Sequence, residues 1–211
     1  MRNASLEQLV RGNKSSEKYK YNEIITAAVK LFNEKGYPST SIRDIAALVG
    51  LTQGTIYHYF KTKEDILLEI NLRVIDIAID RVKKIRDLKC SCREKIHQNI
   101  REVFEVIANY KDFLAVFLKE YKSLSERNRK MILKKRASYE RIFQSIIKEG
   151  IRKKEFKEMD VNMMSMAFLG MCNWATTWLN PNGRLSIEKI VDIFAEIFLD
   201  GISITPRSSN Y

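Results

Sequence analysis

Apolar residues recur at intervals of three and four along most of this chain, a spacing typical of amphipathic helices. The first such helix is marked by Tyr21, Ile24, Ile25, Ala28, Val29 and Phe32. Gly36 ends this helix, and Pro38 prevents the chain from continuing it. Strand-like alternation is scarce, so the pattern predicts an all-α fold.

Two short helical patterns separated by a tight turn come next. Thr40 or Ser41 caps the first helix, and Asp44 follows Ser41 at the spacing of a capping box. Gly50 is free to adopt positive φ and to end this helix. The hydroxyl of Thr52 then caps a second helix. This arrangement predicts a helix-turn-helix, in which the second helix lies in the DNA major groove.

The second short helix is predicted from Gln53 to Phe60 and has two distinct sides. The side expected to face the groove carries Gln53, Thr55, Tyr57 and His58. The opposite side carries Ile56, Tyr59 and Phe60, which are expected to pack on the preceding helix.

A long helix is predicted from Thr62 to about Leu88, uninterrupted by Gly or Pro. Its apolar positions are Ile66, Leu67, Ile70, Val74, Ile77, Ala78, Val82 and Ile85. This helix extends from the helix-turn-helix into the rest of the chain, so it is the expected lever between the two. A short loop is expected over residues 90–93.

The apolar spacing predicts five further helices, over about 96–107, 113–121, 132–147, 161–179 and 187–202. Asp160 and Ser186 are expected to cap the last two. The helix over 161–179 is apolar on nearly every side and must therefore be covered all round, by core or by an interface. Two adjacent apolar helices predict a homodimer interface at this end of the chain.

Composition and net charge indicate the kind of partner. The chain has 211 residues, 45% of them hydrophobic, so it has enough apolar material for one large or two small domains. Its net charge of +11 suits a polyanion. A basic surface without a partner would carry the same charge, and the helix-turn-helix favours double-stranded DNA. Neither a signal peptide nor a membrane-length apolar run occurs, so a cytoplasmic protein without a membrane partner is expected.

The cysteines and histidines argue against metal or enzyme chemistry. Cys90, Cys92 and Cys172 form no CxxC pair, and this odd number fits a reducing cytoplasm. The CxC pair has no second pair near it, so no metal site is predicted. An enzyme such as an acyl-CoA hydrolase would need a nucleophile, a base and an orienting group. With only His58 and His97, no such set is evident.

The first third of the chain resembles the TetR family of one-component transcriptional repressors. The resemblance is carried by ITAAVKLFNEKGY at 25–37, TSIRDIA at 40–46, GLTQGTIYHYF at 50–60 and KEDIL at 63–67. It implies a flexible arm over 1–17, a three-helix DNA-binding head over 18–62, a ligand-binding and dimerisation domain over 63–203, and a tail over 204–211. In the family, the last two helices pair with those of a second subunit as a four-helix bundle.

The resemblance also implies DNA-binding residues and a near-palindromic operator. They are Thr40, Ser41, Arg43, Thr52, Gln53, Gly54, Thr55, Tyr57, His58 and Lys63. Gln53 is suited to adenine, the Thr55 methyl to thymine, and Gly54 to close approach of the backbone. Thr40, Ser41, Tyr57, His58 and Lys63 are expected to hold phosphates, and Arg43 is suited to either task.

The C-terminal part is similar to the TetR subgroup that senses acyl-CoA thioesters and controls fatty-acid or steroid breakdown. That similarity is carried by Arg136, Tyr139, Phe143, Ile146, Ile147, Glu149, Gly150, Phe156, Gly170, Met171, Asn173, Trp174, Trp178, Gly183, Leu185 and Ser186. It implies a small-molecule effector and no other cofactor. Alternatives are a lipophilic drug with control of efflux genes, and a DNA-binding protein without an effector.

The expected effector site combines an apolar tunnel with cations for the CoA phosphates. Its candidate residues are Phe117, Arg129, Lys135, Arg136, Tyr139, Phe143, Met166, Gly170, Asn173, Trp174 and Trp178. Met163, Met164 and Met171 are further candidates for the tunnel, Lys130 for the phosphates, and Trp174 or Trp178 for stacking on a ring. The same stripe of Met and aromatic residues would also fit a core or a dimer interface, and the same cations a solvated face.

Overall fold

A computed structural model describes residues 16–202, which form eight α-helices and a short 3₁₀ helix, with no strand among them. The helices are α1 (Ser16–Lys35), α2 (Ile42–Val49), α3 (Gln53–Tyr59), α4 (Lys63–Arg86), α5 (Cys92–Lys119), α6 (Glu126–Arg152), α7 (Val161–Trp178) and α8 (Ile187–Ile202). The 3₁₀ helix, Glu120–Ser123, lies between α5 and α6. The all-α prediction is confirmed. The predicted arm, apart from its last two residues, and the predicted tail lie outside the described residues.

The predicted caps of the short helices are present. Ser41 and Asp44 form a complete capping box at the start of α2. Gly50 ends α2 with φ of 67°, in the left-handed region that favours glycine. The Thr52 hydroxyl accepts a hydrogen bond from the Thr55 N–H over 3.1 Å and caps α3. The turn between the two helices is therefore fixed by side chains that lie next to it in the sequence.

The two helices predicted over 96–107 and 113–121 both lie within α5. Tyr110 has a non-helical conformation (φ −139°, ψ 35°) and places a kink between them. No Gly or Pro lies between the two segments, so neither residue type causes this kink. The predicted loop over 90–93 is shorter in the structure, because Ser91 and Glu94 form a capping box at the start of α5.

The chain divides into two compact units that do not follow the predicted boundary after residue 62. Among residues 16–202, the first contains 16–78 together with Tyr110–Arg136, and the second contains Ile79–Asn109 together with 137–202. Within the first unit, the Asn33 amide donates to the Asp112 carbonyl over 2.9 Å. Because these packing units are not functional assignments, the predicted division into functional domains stays a prediction.

The first unit has its core beneath the helix-turn-helix. Fully buried side chains come from α1 to α4 and include Ile24, Ile25, Ala28, Ile45, Ile56, Ile66 and Leu67. The Tyr21 ring stacks on Phe60 with centroids 4.7 Å apart. The Arg73 guanidinium lies over the Tyr21 ring, 5.2 Å from its centroid. These contacts join α1, the end of α3 and α4, so the orientation of α3 is set by the packing of its neighbours.

The second unit has an aromatic core. The Phe143 and Phe168 rings lie 4.1 Å apart, and Phe198 meets Phe168 at 5.7 Å. Gly150 permits a further close contact, because a Cβ at this position would lie 2.2 Å from the ring of buried Phe156. No helix within residues 16–202 combines the length and apolar character needed to cross a membrane.

Candidate DNA interface and effector site

The recognition helix α3 is anchored by one side and exposed on the other. Ile56 and the adjoining Phe60 are buried. Gln53, Gly54, Tyr57 and His58 are exposed, while Thr55 and Tyr59 are half-buried. The structure therefore brings most of the predicted groove-facing residues together on one accessible side of α3. Arg43 on α2 is exposed as well.

Two predicted DNA-binding threonines are engaged with each other. The hydroxyl oxygens of Thr52 and Thr55 lie 2.9 Å apart, in addition to the capping bond from the Thr55 N–H. This arrangement fixes the Thr55 side chain at the start of α3. Its immediate function in the described structure is to complete the cap of the recognition helix.

Gly54 is not required by the fold. A Cβ at this position would meet only the Thr52 hydroxyl, at 3.7 Å, an ordinary van der Waals distance. Its backbone is helical, and glycine in a helix is less favourable than alanine by up to about 1 kcal/mol. The absence of a side chain on the exposed side of α3 thus has no explanation in the described surroundings of Gly54.

The structure corrects the expected role of Lys63. Its ammonium donates to the backbone carbonyls of Tyr37 and Thr40 over 2.7 and 2.6 Å, and lies 3.4 Å from the Pro38 carbonyl. It also lies 4.3 Å from the Tyr37 ring centroid. Burial lowers the pKa of this ammonium group. All three of its N–H donors face the chain itself, so Lys63 fixes the turn before α2 instead of offering a donor to phosphate.

Thr40 is corrected for a related reason. It is only 2% exposed, and its hydroxyl lies 2.9 Å from the Gly36 carbonyl, to which it donates. Ser41 is exposed, but its hydroxyl donates to the Asp44 carboxylate over 2.7 Å. Hydrogen bonds from Ser41 hold the pKa of Asp44 below its usual range. Both hydroxyls therefore hold the backbone around the start of α2, and the Thr40 side chain is not accessible to DNA.

The predicted effector residues in the first unit include a partly buried cation. The Arg136 guanidinium lies 4.1 Å from the Phe117 ring centroid and 3.9 Å from that of Tyr121, and donates to the Phe117 carbonyl over 2.6 Å. Within residues 16–202, Tyr121 is the only ionisable group that acts on the pKa of Arg136, and the Arg136 Nε has no hydrogen-bond partner there. Burial lowers the pKa of this guanidinium.

The other two predicted cations of this unit are Lys135 and Arg129. Lys135 forms an ion pair with Asp76, so its charge is already compensated. Arg129 is half-buried on α6. Of the four candidates in the first unit, the structure brings together only Phe117 and Arg136.

The second unit corrects the predicted apolar tunnel. Met166 and Trp174 are 59% and 68% exposed, and Gly170 and Trp178 are exposed too. Phe143 is fully buried against Phe168, whereas Tyr139 and Asn173 are half-buried. The reason is helical phase: the side of α7 that faces inward carries Met164, Ser165, Phe168, Cys172 and Ala175. Because α7 is apolar on nearly all sides, the sequence could not distinguish its inward side from its outward side.

The exposed large apolar side chains of α7 and α8, which we call the apolar patch, are Met163, Met166, Trp174, Trp178 and Ile197. Next to Trp178 lies an open cleft of about 310 Å³, lined mostly by apolar groups of Leu185, Ile190, Ile193 and Phe194. Large exposed apolar surfaces of this kind mark sites of protein association.

Cys92 and Cys172 lack the setting of a reactive thiol. Burial raises the pKa of Cys92 to about 11 and that of Cys172 to about 12, so both are protonated near neutral pH. Over residues 16–202, no cluster of three or more His, Cys, Asp or Glu side chains is placed to hold a metal ion.

Known proteins match both parts of the chain. Residues 24–70 match bacterial regulatory proteins of the tetR family, and residues 89–202, more than half of the chain, match the tetracyclin repressor-like C-terminal domain. The fatty acid metabolism regulator protein of Bacillus subtilis is 30% identical over 185 residues, which are 87% of this chain and 95% of that protein. The transcriptional repressor KstR2 of Mycolicibacterium smegmatis is 28% identical over 185 residues, 86% and 90% of the two chains.

A solved structure of a TetR family regulator also matches most of the chain. The crystal structure of PfmR, a TetR family transcriptional regulator from Thermus thermophilus, superimposes with a TM-score of 0.77 and 31% identity. The match covers 84% of this chain and 97% of PfmR.

Proposed function

Because the chain belongs to the TetR family of bacterial transcriptional repressors, we propose that it represses by binding a near-palindromic operator as a homodimer, and that an acyl-CoA thioester releases it. The exposed side of α3 is the observation that carries the DNA-binding part of this proposal. It presents an amide, a phenol and an imidazole beside a glycine that the fold does not need.

We assign base contacts to the start of α3 and phosphate contacts to its surroundings. Gln53 has a side chain suited to bidentate pairing with adenine, and Gly54 lets the backbone approach the base edges. Tyr57, His58 and Arg43 are accessible for phosphate oxygens, which fix the position of the helix on the duplex. The net charge of +11 favours this association at low salt.

The apolar patch is the proposed dimer interface. It lies on α7 and α8, the two helices for which dimerisation was predicted, and it includes two tryptophans. A twofold dimer presents two copies of α3 to successive major grooves, roughly 34–36 Å apart or multiples of that spacing. We accordingly assign DNA binding to residues 18–62 and effector binding and dimerisation to residues 63–203 of a cytoplasmic protein.

The proposed effector class is supported by a relative and by one side chain. The Bacillus subtilis relative, 30% identical, is a regulator of fatty acid metabolism. Arg136 is a partly buried cation on whose pKa no carboxylate acts among the described residues, which suits an anionic ligand such as CoA. By linkage, an acyl-CoA lowers operator affinity only by as much as it prefers the state that does not bind the operator.

An electrophoretic mobility shift with DNA from the region upstream of its own gene tests the proposal. Long-chain acyl-CoA is titrated against the complex, with free CoA and free fatty acid as controls. We expect release by acyl-CoA alone. A shift that survives all three ligands contradicts the effector class, and the absence of any shift contradicts an operator within this upstream region.

A pair of variants on the same helix tests the role of Arg136. Arg136→Gln removes the partly buried guanidinium, and we expect release to require at least about tenfold more acyl-CoA. Arg127→Gln makes the same charge change at an exposed position of α6 and should leave the release curve unchanged. Equal curves for the two variants would remove Arg136 from the effector site.

A further inference from the structure

The interior of the second unit contains an amide with an unused donor. Asn99 on α5 is 2% exposed, and its Oδ1 accepts a hydrogen bond from the Tyr139 hydroxyl over 3.2 Å. Its Nδ2 is buried and has no hydrogen-bond partner within residues 16–202. Buried amide N–H groups nearly always have an acceptor, because leaving one unpaired is unfavourable. This unused donor therefore needs an explanation.

The buried residues next to Asn99 on α5 offer its amide no side-chain acceptor on the inward side. Its neighbours on the inward side of α5 are Ile96, Ile100 and Phe104, all of them buried. The sequence signal for this site is thus a polar residue within an apolar helical stripe.

The hydrogen bond from Tyr139 fixes which end of the amide is free. Burial is the main cause that raises the pKa of the Tyr139 hydroxyl, with the Cys172 thiol as a smaller cause. The phenol is consequently neutral and donates its proton to Asn99 Oδ1. The amide is thereby oriented with Nδ2 as the free donor.

We infer that Asn99 Nδ2 binds the carbonyl oxygen of the effector's acyl group, and that Tyr139 is a positioning residue for this amide. The inference rests on the proposed function and concerns only the acyl part of the ligand. A neutral amide among aliphatic side chains suits a neutral acceptor better than a phosphate or carboxylate. Lys95, the nearby cation of the same helix, is already paired with Glu149. An acyl thioester offers one such carbonyl at the end of an apolar chain.

The test compares two CoA derivatives that differ only at the carbonyl. One is a long-chain acyl-CoA, and the other is the S-alkyl-CoA thioether of equal length, with CH₂ in place of C=O. Dissociation constants are measured by titration calorimetry with the full-length protein. We expect the wild type to bind the acyl-CoA about tenfold more tightly.

Asn99→Leu keeps the approximate shape of the side chain and removes its hydrogen-bonding atoms. We expect the ratio of the two dissociation constants to fall to about one, while affinity for the thioether is maintained. Tyr139→Phe should lower the same ratio without weakening the thioether, which a purely structural role would not do. Asn109→Leu, at an exposed position of α5, should keep the ratio of the wild type.

The outcomes separate this inference from the proposed function. If the wild type binds both derivatives equally, or if Asn99→Leu retains the wild-type ratio, the carbonyl contact is wrong although acyl-CoA is the effector. If the wild type binds neither, the effector class itself is wrong, and the assignment of Asn99 is lost with it.

A double variant covers the case in which Asn99→Leu does not fold. Asn99→Leu with Tyr139→Phe removes both polar groups together, which is close to neutral for a buried pair. It should remain folded and show the same loss of discrimination. A folded double variant with the wild-type ratio would overturn the inference.

Discussion

The exposed sides of α3 and α7, which we propose to bind DNA and a second subunit, differ in polarity. On α3, exposed Gln53 and His58 stand opposite buried Ile56, so polarity separates the two sides. On α7, exposed Trp174 and buried Phe168 are both apolar. A surface that binds DNA is polar and differs from the core, whereas a surface that binds a second protein copy resembles the core. For this reason the sequence separates the two sides of α3, whereas it does not show which side of α7 faces outward.

The largest effect is expected from a charged substitution within the apolar patch. Trp174→Glu places a charge at the most exposed large apolar side chain. We expect the dimer dissociation constant to rise at least about 100-fold, with loss of operator binding, because central aromatic residues dominate such interfaces. Sedimentation measures the dimer dissociation constant, and mobility shifts measure operator binding. Asn162→Glu, an exposed position elsewhere on α7, is the control, and equal dimer constants for the two variants would show that the patch lies outside the interface.

A smaller effect is expected from a substitution on the exposed side of α3, which changes operator affinity and folding stability in opposite directions. In Gly54→Ala the added methyl group has room within the chain. We expect the free energy of unfolding to rise by about 0.5–1 kcal/mol and operator affinity to fall at least about tenfold. Denaturant titration and fluorescence anisotropy give the two values. Unchanged operator affinity would place the DNA farther from this helix turn than proposed.

The corrected role of Lys63 is tested by salt dependence. Lys63→Gln should lower the free energy of unfolding by about 1–3 kcal/mol, because its donors satisfy three backbone carbonyls. The slope of log affinity against log salt concentration should stay that of the wild type. Arg43→Gln, which removes an exposed cation, should reduce the slope by about 0.9. A reduced slope for Lys63→Gln would restore the phosphate contact.

The smallest effect concerns Glu64 at the start of α4. Its carboxylate accepts hydrogen bonds from the Ser125 N–H over 2.9 Å and from the Asn128 amide over 2.6 Å. Hydrogen bonding from Ser125 is the leading cause that lowers the pKa of Glu64. A lowered pKa means stabilisation that is complete above the unfolded value of 4.5 and is lost as pH falls through the lower folded value.

We therefore expect Glu64→Gln to melt below the wild type at pH 7, with a difference that shrinks as the pH falls below 4.5. Melting temperatures recorded between pH 3 and pH 7 measure this. A difference that is independent of pH would mean that the carboxylate charge is not what holds Ser125 and Asn128.

Local chemistry explains what could be predicted. Ser41, Gly50 and Thr52 act on residues within one helix turn, so their caps followed from the sequence and are present in the structure. The resemblance to TetR repressors used the same segments, and the comparisons confirm it, together with the prediction of a DNA-binding regulator rather than an enzyme.

Contacts between distant residues explain what could not be predicted. Lys63 meets carbonyls more than twenty residues away, and Arg136 meets Phe117 nineteen residues away. Both looked like free cations in the sequence, since a charge shows no partner until the chain is folded. The orphaned amide of Asn99 was equally hidden, because its burial depends on the packing of α5 in the second unit.

The sequence alone determined the helical fold, the caps of the helix-turn-helix and the polar side of α3, because each depends on neighbours within a few residues. Only the tertiary structure decided which side of α7 is exposed, which cations are already paired and which buried donor lacks an acceptor. These properties depend on what packs against a residue, and that information is absent from a helical pattern that is apolar on every side.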